Sequence, residues 1–97
     1  MIVGVVRLRI RLPENHSLKG KRRVVKSLIG RVGNRFNVAI SEIDLNDVWQ
    51  SGVIGISTVG NSQSVINSAL DRVLNFIDET CPVEVIDSEI EIIHLGN

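Results

Sequence analysis

Ninety-seven residues, 43% hydrophobic and 23% charged, describe one globular domain with a single modest core rather than a disordered chain or two domains. Eleven bases and eleven acids cancel, yet they are segregated: residues 1–35 hold ten bases against Glu14 alone, a net +9, and residues 36–97 hold Arg72 against ten acids, a net −9. With no apolar run of the roughly 18 residues that span a bilayer, no signal-peptide pattern and Cys81 as the one cysteine, the composition points to a cytoplasmic protein without membrane contact, disulfide or thiolate metal cluster.

Residues 2–12 (IVGVVRLRIRL) alternate. Ile2, Val6, Leu8, Ile10 and Leu12 fall on one parity, and Val3, Val5, Arg7, Arg9 and Arg11 on the other. Period two with β-branched residues predicts a strand with one buried face, stopped at Pro13. Residues 17–33 read as a helix capped by Ser17, with Leu18, Val25, Leu28, Ile29 and Val32 at helical spacing and Gly33-Asn34 as the stop. A second strand is expected over 35–44, with Phe36, Val38 and Ile40 on one face, and a third over 49–59. Asn61 or Ser62 caps a second helix that carries Ile66, Ala69, Leu70, Val73, Leu74 and Ile77 and ends at Cys81-Pro82. Residues 83–94 supply the fourth strand.

The order βαββαβ is the split pattern of α+β ferredoxin-like folds. It predicts a four-stranded antiparallel sheet ordered 4-1-3-2, with two helices on one face and the other face open. Assigning the apolar parity of strand 4 to the core places Ile86, Ile90 and Ile92 inside. Val83, Val85, Asp87, Glu89, Glu91 and Ile93 then fall on the open face. Three arginines of strand 1 face three carboxylates across one strand pair, each pair stabilising by ~0.2–1 kcal/mol. The rest of that face, including Val3, Val5, Val83 and Val85, is a candidate dimer or partner surface; the plain alternative is scattered exposed valine.

The first helix carries the densest charge. Lys19, Lys21, Arg22, Arg23 and Lys26 stand within two turns, and no acid occurs in residues 15–41. Lys19 and Lys21 lie in the first turn, where the helix dipole favours anions. A phosphate would relieve that conflict, which makes these five residues candidate phosphate contacts. The alternatives are a solvated basic face, or a surface for an acidic partner or the acidic half of a second copy. Stacking on the sheet is not expected, since Val5, Arg7, Gly55 and Ser57 stand where aromatic platforms would be needed. Structured RNA read through its backbone is then the nucleic acid that fits.

Catalysis finds no support. The loop after strand 1, PENHSLKGKRR, lacks a glycine-rich phosphate cradle and a CxxC pair. His16 and His94 are the only histidines, and no paired carboxylates suggest an acid and a base. No catalytic residue, metal, cofactor or small-molecule substrate is predicted. Trp49 either packs over one end of the sheet or anchors a partner, as exposed tryptophans do at binding hot spots.

The runs SLKGKRRVVKSL at 17–28, RFNVAISE at 35–42 and VWQ at 48–50, with the opening VVRLRIRLP and the stretch VLNFID, resemble the YlxP-like family of small bacterial proteins, a domain of unknown function. One departure is Gly20, where that pattern leads one to expect a charged helix former. The resemblance implies a ferredoxin-like fold and no established activity. Members are often encoded beside translation-initiation and ribosome-maturation genes. The expectation is therefore a non-catalytic accessory factor that binds ribosomal RNA or a ribosomal particle through the basic helix. The alternative is a protein–protein or homodimerisation module using the open sheet.

Overall fold

The computed structural model describes residues 1–96. In chain order it contains β1 (Ile2–Arg11), α1 (Leu18–Arg35), β2 (Ala39–Asp44), β3 (Ser51–Gly60), α2 (Gln63–Thr80) and β4 (Glu84–His94). The strands form one antiparallel sheet ordered β2-β3-β1-β4. This is the ferredoxin-like α+β arrangement that the alternation and helical spacing predict. Val6, Leu8 and Ile10 of β1, and Leu12 just after it, enter the core beside Ile54 and Ile56 of β3. Val25, Leu28 and Val32 of α1 and Ile66, Leu70, Val73 and Ile77 of α2 close it from the helical side. Gly4 lets α2 sit close, since a Cβ there would stand 2.5 Å from Ile66 Cγ2. No helix is long and apolar enough to cross a membrane.

Both helices start where a hydroxyl can cap them. Ser17 Oγ accepts from Gly20 N at 3.0 Å, and Ser62 Oγ from Val65 N at 3.5 Å. The end of α1 differs from expectation. Gly33-Asn34 does not stop it; the helix continues to Arg35, and Phe36 N–H donates to Val32 O at 2.9 Å. Buried Val32 anchors that last turn, and the Arg35 guanidinium lies 5.0 Å from the Phe76 ring centroid. β2 accordingly begins at Ala39 rather than at residue 35, and Phe36 meets Phe76 edge-on at 5.5 Å.

The fourth strand carries the largest correction. A register shift against β1 falls between Arg9, opposite Asp87, and Ile10, opposite Val85. The bulge inserts Ile86 as an extra residue and inverts the parity N-terminal to it. Val83 is thereby buried in the core, and Val85 packs against it. Neither belongs to the open face. Ile86, predicted inside, is 53% exposed. Ile90 keeps its predicted parity opposite Val6 but is still 43% exposed on this edge strand.

Candidate functional site

The arginine ladder partners differently from the simple alternation. Arg7 faces Glu89 with 3.6 Å between charges, and Arg11 reaches Glu84 at 3.4 Å. Arg9 stands opposite Asp87, and Glu91 stands opposite Val5 rather than an arginine. Two of the three arginines thus hold a carboxylate among the described residues, and one of those acids, Glu84, lies outside the expected set Asp87, Glu89 and Glu91. All four side chains are more than half exposed, so each pair is screened by solvent and contributes under about 1 kcal/mol.

The five candidate phosphate contacts of α1 do not share one surface. Lys19, Arg22, Arg23 and Lys26 are exposed. Lys21 is fully buried, so it cannot meet a phosphate. It lies on the stripe Lys21, Val25, Leu28, Val32 that α1 turns toward the core. Its Nζ reaches Glu42 Oε2 at 2.9 Å and donates to Leu45 O. Glu42 alternates into the helical side of β2, and its other oxygen accepts from Asn46 Nδ2 at 3.5 Å. Leu45 has φ +58°, a left-handed conformation that costs a branched residue of this kind about 1 kcal/mol or more. Asp44 Oδ1, accepting from Leu45 N at 2.8 Å, and Lys21 on the carbonyl hold that turn from both sides.

A second set of bonds fastens the next residues of the same loop. Asn15 Nδ2 donates to Ser17 O at 2.8 Å and to Trp49 O at 2.6 Å. Gln50 Nε2 donates to Asn15 O, and Leu12 N donates to Gln50 O. Gly20 makes room for this arrangement. A Cβ there would collide with Asn15 Oδ1 and stand 3.0 Å from Ser17 Oγ. The glycine that interrupts the charged pattern of the first turn is therefore where the asparagine clip packs. Trp49 itself is 54% exposed and does not pack over the sheet core.

The open face is shallow and mixed. Val5, Ala39, Ser41, Ile43, Gly55 and Ser57 line a concavity of about 450 Å³. Ile43, 52% exposed, lies across Gly55, where a Cβ would stand 2.9 Å from its Cγ2. Val3 belongs to the same parity, paired with Val59 and Ile93. Nearer the β2–β3 loop, Arg7, Arg9, Asp44, Leu45, Val53, Asp87 and Glu89 line a second concavity of about 290 Å³. Two bases and three acids are interspersed there. Of the histidines, His94 Nε2 bonds Gln63 Oε1 at 2.9 Å.

Comparison with known proteins places these features in a family. Residues 3–90 match the sequence model described as "Protein of unknown function (DUF503)". The chain is 47% identical over 68 residues to the "Uncharacterized protein YlxP" of Bacillus subtilis (strain 168), covering 70% of this chain and 74% of that protein. Among solved structures, the "De novo designed protein Foldit4" aligns at TM-score 0.46 and 19% identity, over 97% of this chain and 99% of that one. The matched span takes in every element at least in part, and this βαββαβ chain belongs to the DUF503 family of YlxP-like proteins.

Proposed function

We propose that the protein is a cytoplasmic, non-catalytic accessory factor of translation or ribosome maturation that binds structured RNA, or a ribosomal particle, through the outer face of α1. One observation carries this reading. Lys19, Arg22, Arg23 and Lys26 are all exposed, and none takes part in the ion pairs among the described residues. Four cations on two turns of one helix, none of them in an ion pair among the described residues, suit a run of phosphates. Lys21 has no part in it and serves to hold the β2–β3 loop. The translation genes that accompany YlxP-like proteins direct the search to ribosomal RNA.

Co-sedimentation with bacterial ribosomal subunits tests the proposal at about 50 and about 200 mM salt. Association should fade at the higher salt and vanish in Arg22→Glu/Arg23→Glu. Failure to associate at either salt overturns the reading. A homodimer through the open sheet is the second reading, favoured by exposed Ile43 over Gly55. Val5→Asp would then split the dimer and leave RNA binding intact.

A further inference from the structure

We infer that Trp49 and the α1 cations form one site, which takes an unpaired nucleotide: its base stacks on the indole, and its neighbouring phosphates lie along the first two turns of α1. The inference rests on the phosphate reading of α1 and goes further by naming an unpaired base as the recognised group.

The first ground is an asymmetry between side chain and backbone. Trp49 leaves 54% of its surface in solvent and adds nothing to the core. Its loop is nevertheless fixed at several points. Asn15 holds the Trp49 carbonyl, Leu12 N holds the Gln50 carbonyl at 2.8 Å, and Lys21 holds the Leu45 carbonyl. Val48 N closes the turn on Leu45 O at 3.0 Å. An exposed aromatic on an ordered loop offers a flat apolar face with little ordering entropy left to lose on binding.

The second ground is position. A single Asn15 amide bridges the carbonyls of Trp49 and of Ser17, the N-cap of α1. The tryptophan is therefore held at the basic end of the helix. Lys19 follows Ser17 by two residues, and Arg22 and Arg23 follow a turn later. The third ground is chemistry. Single-strand sites combine a positive track for the backbone with aromatic platforms for the bases. The sheet, which carries no aromatic residue at its centre, cannot supply the platform. Trp49 can, and its backbone is tied to the N-cap of the helix that carries the exposed cations.

Trp49 is the only tryptophan, so its emission reports the contact directly. The probes are a ribo-oligomer of about eight uridines, its deoxy counterpart, and a blunt RNA duplex of about twelve base pairs, each end-labelled for anisotropy. The ribo-oligomer should bind and quench the tryptophan. Trp49→Ala should weaken binding roughly 5- to 150-fold, the range of one lost base stack, while Trp49→Phe should recover most of it. The affinity of the deoxy-oligomer relative to the ribo-oligomer then tells which nucleic acid supplies the nucleotide. Binding without quenching, or binding unchanged in Trp49→Ala, overturns the inference but leaves the α1 reading standing if Arg22→Glu/Arg23→Glu abolishes it. Binding of the duplex alone does the same. Binding of none of the three probes overturns both.

Discussion

Lys21 sits among four exposed bases, and in composition nothing separates it from them. Its position does. Stepping by four, three and four from residue 21 reaches Val25, Leu28 and Val32, the buried stripe of α1. That spacing was legible in the sequence, although the acid that receives the lysine, Glu42, lies 21 residues on in another strand, and only the sheet brings it within 2.9 Å. Breaking such a pair from one side leaves a buried charge uncompensated. Lys21→Ala should therefore lower stability by about 3 kcal/mol in urea unfolding, since Glu42 keeps slight solvent contact. Replacing both partners, as Lys21→Met/Glu42→Leu, should recover most of that loss. At Gly20 two effects oppose each other. Alanine gains about 1 kcal/mol of helix propensity but displaces Asn15, whose two hydrogen bonds are worth about as much each. Gly20→Ala should thus lower overall stability by about 1 kcal/mol. Hydrogen exchange should also show faster amide exchange at Val48, whose bond to Leu45 O lies in the released loop.

At the scale of elements, periodicity carried most of the reading. Strand 1 alternates without interruption, and both helices begin at the serines whose side chains cap them. The failures share one cause: an end or a register decided by a neighbour distant in sequence. α1 runs past Gly33 because Val32 and Arg35 find partners on α2 and in the core. β4 changes parity at Ile86 because strand 1 pairs with it on both sides of a bulge. No residue type in VEVIDSEIEII marks that bulge, so Val83 and Val85 could not be assigned to the core from the strand alone. The glycines of α1 give a prediction of their own. A Cβ on Gly30 or Gly33 meets nothing within 4 Å. Gly30→Ala and Gly33→Ala should therefore each raise stability by up to about 1 kcal/mol, seen as a higher urea midpoint with unchanged slope.

For the whole molecule, a formal charge of zero conceals a polarity that the fold cancels only in part. Strand 1 and β4 bring Arg7 and Arg11 against Glu89 and Glu84, and Lys21 is spent on Glu42. The outer face of α1 keeps Lys19, Arg22, Arg23 and Lys26 without a partner among the described residues. Segregation was visible in the sequence; how much of it survives folding was not, because that depends on strand register and on one buried lysine. The count that remains sets a quantitative expectation. Four phosphates neutralised should give a slope of log affinity on log salt between about −3 and −4, single strands at the shallow end. Affinity should then fall roughly 50- to 150-fold from about 50 to about 200 mM salt. Titrations of the labelled oligomers across that range measure the slope directly. A slope near −5 would bring Arg31 and Arg35, at the far end of α1, into the contact despite their place over the Phe76 ring. A slope near zero would mean that phosphates do not drive binding, and would move the interaction surface from α1 to the apolar concavity of the open sheet.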